Sequence, residues 1–395
     1  MTTHSPTEGP HAVERSVRVS RVTARAVRVP VSTPTRMSTR VLDQREYVTV
    51  TVESRESEHV GVGYAYAGTA GGRLLEDAIT HLLAPSIVDQ EPDAILDLWE
   101  RMYQETLLLG RRGAVVRALS AVDIALWDLS AKRKGVPLAV LLGGSVRPIP
   151  AYASGGYYRP DEGPWNTAVV NEISQNRALG FKDHKIKVGG LSVALDAERV
   201  AAAVEAVGPE GRLALDANNA YPNVVEARHA LAAFEAAAAG AGLWWVEEPL
   251  RPDDIESQRQ LTRSSRTPIA GGELNQTRWE FRQLIERRAA DIIQPDVGVL
   301  GGVSEWIRVQ RVAETFGVPV APHWHANLHV HLAAAAQNCI AVEHFAMEKD
   351  IYNFEMLLTP QTRLLFTDGH VVVPSRPGIG IEIDPESLMR FAIPH

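Results

Sequence analysis

Two lysines stand one residue apart in the stretch DHKIKVGG (183–190), inside what otherwise reads as a buried strand. Successive side chains of a strand face opposite ways, so Lys185 and Lys187 share one face and Ile186 and Val188 the other. Two ammonium groups side by side lower each other's pKa, and desolvation acts in the same direction. A lysine so depressed is neutral near pH 7 and can serve as a general base. By position, Lys187 is the expected base and Lys185 the residue that tunes it.

Further along, Asp216, Glu247, Glu273, Asp296, His323 and Glu343 follow at intervals of about one strand-plus-helix unit. Three carboxylates on consecutive strands, Asp216, Glu247 and Glu273, repel one another unless a hard divalent cation sits among them. An oxygen-only ligand set specifies Mg2+ better than Zn2+. The competing reading is that these carboxylates are helix N-caps. Asn218, on the same face as Asp216, is a candidate to orient a ligand, and Glu248 is expected to point away from Glu247 and hydrogen-bond its surroundings. A carboxylate beside an imidazole fixes its tautomer and raises its pKa, so Asp296 and His323 form a candidate acid/base dyad. Glu343 is read as a protonated acid that hydrogen-bonds a substrate oxygen. A zinc pair at His323 and His325 in HWH is the alternative there, although the middle strands supply carboxylates where a zinc barrel needs histidines.

These residues need a scaffold that brings them together. From about residue 148 short apolar runs each end in a polar cluster and are followed by a helical stretch. They are IPAYASG, DHKIKVG, RLALDAN, LWWVEEP, PIAGGE, DIIQPD, PVAPHWH and IAVEHF. Eight strands alternating with helices describe an α/β fold, a (β/α)8 TIM barrel whose C-terminal strand ends converge on one mouth. A loop and short strand, not a helix, follow the eighth run, which makes the barrel (β/α)7β. A doubly wound sheet would need fewer strands, and no Gly-rich dinucleotide fingerprint is present. Residues 15–145 read as strands followed by helices, an α+β capping domain. The expected organisation is thus a flexible tail over 1–14, the capping domain over 15–145, the barrel over 146–358 and a segment over 359–395 that returns to the cap.

The 395 residues are 45% hydrophobic and 22% charged, the balance of a globular protein with an ample core. A net charge of −8 gives no electrostatic case for nucleic acid or an anionic membrane. The polar N-terminus lacks the apolar stretch of a secretory signal, and no run is long enough to span a membrane. Cys339 is the single cysteine and reads as a small core residue. A cytoplasmic protein is expected.

The motifs KIKVGG, LALDANNAY, WWVEEPL, IAGGE, IIQPDVGVLGGVSE and APHWH together resemble the mandelate racemase subgroup of the enolase superfamily. The segment ALSAVDIALWDLSAKRKGVPLAVLLGG is similar to the end of that family's capping domain, and VVVPSRPGIGIEI to its C-terminal return. The resemblance implies that Asp216, Glu247 and Glu273 hold Mg2+, that Lys187 and the Asp296–His323 pair are the two acid/base centres, and that Glu343 meets the substrate carboxylate. It also implies an enediolate stabilised by the metal and Lys185, a chemistry general to this superfamily. Protonation of a departing β-hydroxyl by His323 gives dehydration of an acid sugar (aldonate or aldarate) to a 2-keto-3-deoxy acid. Return of the proton to the opposite face of Cα gives a racemase or epimerase instead. Dehydration is the expected outcome. Substrate choice is expected in the loops 31–43 and 64–73, with Arg36, Arg40, His184 and His325 as candidate substrate contacts. The substrate is expected to be a small carboxylate, and the assembly a homo-oligomer.

Overall fold

The computed structural model describes residues 17–55, 57–347 and 351–394. The tail expected over 1–14 lies outside them. The chain opens with an antiparallel sheet of β1 (Val19–Arg36), β2 (Val41–Ser54) and β3 (Val60–Tyr66), in that order. Alternating Val, Thr and Tyr side chains suit a sheet with one buried face. That face receives the helix Ala114–Arg133. Gly61 and Gly63 of β3 make the close approach possible, because a Cβ at either would collide with the carbonyls of Ala125 and Ala121.

The barrel follows as parallel strands β4 (Pro148–Gly155), β5 (His184–Lys187), β6 (Leu213–Asp216), β7 (Val246–Glu247), β8 (Ile269–Gly271) and β9 (Ile292–Ile293). The seventh is reduced to Val320, which bridges Ile293 on one side and Cys339 on the other, and β10 (Val342–His344) pairs back on β4 to close the ring. A helix follows each of the first seven strands. After β10 come only 3-10 turns at Asn353–Leu357 and Pro360–Thr362, the (β/α)7β pattern. Odd and even positions separate cleanly. Ile186, Val188, Leu213, Leu215 and Val246 join the layer beneath the helices, while Tyr152, Ala214, Trp245 and Ala270 fill the barrel interior. Among the described residues no helix is long and apolar enough to cross a membrane.

The segment 359–395, expected to return to the cap, goes first to the barrel. The hairpin β11 (Phe366–Thr367) and β12 (His370–Val372) lies antiparallel to β4 at Pro148–Pro150. From Gly378 onward it reaches the cap. The Ile379 N–H donates to Asp128 Oδ1 at 2.7 Å, the Arg28 N–H to the Phe391 carbonyl at 2.8 Å, and the Ile393 N–H to the Ala26 carbonyl at 3.0 Å. The cap docks through the helix Ala114–Arg133. Asp123 accepts from the Ser304 N–H at 2.9 Å and its hydroxyl at 2.6 Å, and Trp127 Nε1 donates to the same hydroxyl at 2.9 Å.

Candidate active site

The strand register fixes the site. Lys187 pairs with Asp216 across β5–β6, and Asp216 with Glu247 across β6–β7, so the three inward side chains stand at one level. Lys187 Nζ contacts Asp216 Oδ2. Lys185 Nζ lies 2.6 Å from Glu247 Oε1 and 2.8 Å from Glu343 Oε1. Trp245 Nε1 (3.2 Å) and Gln294 Nε2 (2.6 Å) donate to Glu247 Oε2 and fix its plane.

These contacts correct the expected tuning of the lysines. Burial does act to lower both, but Glu247 and Glu343 hold Lys185 well above the usual ammonium range, and Asp216 does the same for Lys187. A carboxylate in contact outweighs a like charge further off. Glu343 is also not a resident protonated acid. Against the cost of burial, Lys185 and His323 hold its carboxyl below the usual range.

The N-cap reading of the carboxylates meets a specific obstacle. The helices after β6 and β7 are capped by Asn223 and Asp254 side chains, not by Asp216 or Glu247. Asp216, Glu247 and Glu273 instead bring one oxygen each to within 4.8 Å of one another, all three buried. Glu273 Oε2 lacks a hydrogen-bond donor, as does Asn218 Oδ1 nearby. Converging carboxylate oxygens with unsatisfied lone pairs fit a hard divalent cation.

On the far side of this cluster His323 Nδ1 faces Asp296 Oδ2 at 2.8 Å, and its Nε2 lies 3.5 Å from Glu273 Oε2. Burial would lower the imidazole, but Glu273 and Asp296 raise it to about 10. The Gly298 N–H donates to Asp296 Oδ1 at 2.7 Å and locks the dyad's carboxylate. A cavity of about 380 Å3 opens between these groups and the cap, lined by Lys187, Asn218, Glu273, Asp296, His323 and Glu343 on the barrel side. Met37 and Arg40 from one cap loop, and Tyr66, Ala67, Gly68 and Gly71 from the other, close it. Ser38 Oγ ties the first loop to the Ala217 carbonyl at 2.7 Å.

Three expected substrate contacts lie elsewhere. His184 sits on the outer face of β5, beneath the helix Trp165–Ala178, with Nδ1 3.0 Å from the Lys182 carbonyl. Strand alternation puts it on the face opposite Lys185. His325 is fully buried behind Asp296, its Nε2 3.6 Å from Asp296 Oδ1. His323 and His325 do not share a face, because Trp324 between them has φ 70° and breaks the alternation. Arg36 is exposed and reaches the Gly190 carbonyl at 3.5 Å, outside the cavity. Glu248, at φ 40°, turns from the cluster and accepts from Asn219 Nδ2 at 2.8 Å.

Sequence reasoning missed Arg45, Arg117 and Tyr157, which also line the cavity. Tyr157 places its ring 5.0 Å from Lys187 Nζ. A signal existed for Arg117, the only cation in the apolar run AVVRALSAVDIALWDLSA.

Carboxylates and amines converging at the strand ends of a capped (β/α)7β barrel define a class of enzymes that remove protons next to carboxylates. Residues 19–143 match the mandelate racemase/muconate lactonizing enzyme N-terminal domain, and residues 168–387 the enolase C-terminal domain-like family. The chain belongs to the mandelate racemase/muconate lactonizing enzyme family of the enolase superfamily. It is 35% identical to an arabinonate dehydratase of Saccharolobus solfataricus, over 86% of this chain and 88% of that protein. It is 31% identical to the L-talarate/galactarate dehydratase of Salmonella typhimurium, over 95% and 92%. The crystal structure of the latter aligns with a TM-score of 0.88 at 29% identity, covering 100% of this chain and 96% of that one. A racemase from Streptomyces coelicolor with bound magnesium aligns at 0.87 and 30% identity, covering 95% and 100%.

Proposed function

We propose that the protein is a Mg2+-dependent acid-sugar dehydratase, with Asp216, Glu247 and Glu273 as the metal's protein ligands. When bound, the cation would neutralise charge that develops on the substrate carboxylate and take the charge of the three carboxylates off the lysines. Lys187 Nζ then removes the proton α to the carboxylate. The C–H electron pair passes into a carbon–carbon double bond, and the β-carbon–oxygen bond breaks. His323 Nε2 delivers a proton to the departing hydroxyl, which leaves as water, and the enol becomes the 2-keto-3-deoxy acid. Lys185 stabilises the developing oxyanion from below, held by Glu343. The observation that carries this reading is the placement of two proton-transfer groups on opposite sides of the carboxylate cluster, Lys187 beside Asp216 and His323 beside Glu273. Support comes from the dehydratases of arabinonate and of talarate and galactarate among its relatives. A small-molecule carboxylate is the partner, and the reading keeps the protein a cytosolic homo-oligomer with neither nucleic acid nor membrane as partner.

The same opposed pair suits a racemase or epimerase, and a magnesium-bound racemase is among the similar structures. A screen of aldonic and aldaric acids with Mg2+, read by semicarbazide detection of 2-keto acids, separates the two. Keto-acid formation supports dehydration. Deuterium at Cα of recovered substrate in D2O without keto acid supports the isomerase, and silence on both counts sinks the enzyme reading.

A further inference from the structure

The cap side of the cavity carries cations that the proton chemistry above does not use. Arg45, on β2, is 2% exposed and lines the cavity. Its guanidinium lies 4.4 Å from the centre of the Trp324 ring and donates through Nη1 to the Tyr66 hydroxyl at 3.1 Å. Its Nε has no partner, and neither has the Nε1 of Trp324 beside it. Arg117, from the first turn of the helix Ala114–Arg133, is half-buried and lines the same cavity. Its hydrogen bond is a 3.3 Å donation from Nη1 to the Tyr66 carbonyl. Neither guanidinium is in hydrogen-bond contact with a carboxylate among the described residues, although Asp296 and Glu273 act on Arg117 from further off.

An enclosed guanidinium without a counter-anion is costly, and its planar fork of donors matches a carboxylate. The two unsatisfied atoms here, Arg45 Nε on the cap and Trp324 Nε1 on the barrel rim beside it, are both donors, which points to a missing acceptor. The two arginines approach Tyr66 from its two ends, one at the hydroxyl and one at the carbonyl. They face the barrel's carboxylate cluster across the cavity, so a substrate that presents one carboxylate to the barrel presents its other end to them. A hydroxymethyl group there would leave Arg45 without an anion and Arg117 with only the more distant carboxylates of Asp296 and Glu273.

We propose that Arg45 and Arg117 form a subsite for a second carboxylate, so that the substrate is an acid sugar oxidised at both ends, an aldarate, in preference to an aldonate. This rests on the reading of the site as an acid-sugar dehydratase. The relatives named above do not decide it, since arabinonate carries one carboxylate and galactarate two.

The test compares galactarate and glucarate with galactonate and gluconate in steady-state kinetics with Mg2+. The diacids are expected to show kcat/KM at least tenfold above the monoacids, and the ratio to fall toward one in Arg117→Met and in the conservative Arg45→Lys, chiefly through KM. Monoacids equal or better, or an unchanged ratio in both variants, overturns the subsite and leaves the dehydratase reading standing. Should neither class be dehydrated, the dehydratase reading fails, and binding decides the subsite. Calorimetric titration of the Lys187→Ala protein with Mg2+ should show galactarate binding at least tenfold tighter than galactonate. Equal affinity, or no binding of either, overturns it.

Discussion

On the barrel side of the cavity, Lys187, Asp216 and Glu247 stand at one level because their strands are hydrogen-bonded in that register. On the cap side, Arg45 and Arg117 come from a strand and a helix that share no ladder with the barrel. Backbone pairing thus fixes the level at which the groups that would do chemistry stand. The groups that would select the substrate are held by docking contacts such as Asp123 on Ser304. The difference teaches that reaction and specificity are built on separate supports, so one can change while the other is kept.

Removing a barrel-side proton-transfer group is the harshest way to probe that separation. Lys187→Ala or His323→Asn should lower kcat by roughly a thousandfold or more, with an unchanged circular dichroism spectrum. A loss under tenfold would break the assignment. Chelation of divalent ions should abolish activity until Mg2+ is restored. At about 100 times its Kd, Mg2+ should add about 2.7 kcal/mol of stability, seen as a higher Tm, because it relieves the crowding of Asp216, Glu247 and Glu273. Asp296→Asn keeps the shape of the dyad but removes one of the charges that raise His323, Glu273 being another. It should cost on the order of a hundredfold in kcat and shift the pH profile, with KM little changed.

A milder effect lies at the seam between the two regions. Burial lowers the His331 imidazole to about 4. Its Nδ1 accepts from the Ala139 N–H at 3.3 Å and its Nε2 faces the Ile379 carbonyl at 3.1 Å, so only the neutral ring satisfies both. A base whose folded pKa lies below its unfolded value of about 6.5 gives stability that is fully present above pH 6.5 and is lost as pH falls toward 4. Between pH 7.5 and 5 this residue alone should cost about 2 kcal/mol in urea denaturation, and His331→Gln should flatten that slope. The smallest change is expected of Arg36→Ala. It should alter kcat/KM less than about twofold, since the side chain is exposed outside the cavity.

Much of the barrel-side constellation was legible because a βα barrel places one strand end per repeat at its mouth, and from the second strand onward the sequence carries polar residues there. Strand alternation separated Lys185 and Lys187 from Ile186 and Val188 in the same way. Legibility ended where the backbone leaves the strand. Asn218, Glu248 and Trp324 all have positive φ, at 44°, 40° and 70°, and past such a residue the two-residue period no longer tells which way a side chain points. His325 was misplaced for that reason. His184 was misplaced for another, because the alternation already put it on the outer face and its polarity was read over its position. The balance of charge on the lysines depends on contacts between strands far apart in sequence, which no local pattern contains. Arg45 and Arg117 escaped because only the docking of cap on barrel makes them neighbours of the site.

The route of the C-terminal segment carries a consequence for how the chain matures. Ala26 and Arg28, on the outermost strand of the cap, find backbone partners at Phe391 and Ile393, on the other side of the entire barrel in sequence. During synthesis that strand emerges early with an open edge, the kind of surface that invites mispairing. It is sealed only after the last barrel stave has been made, so such long-range closure should be a late and slow event in folding. The two units are therefore distinct in architecture yet interdependent in assembly.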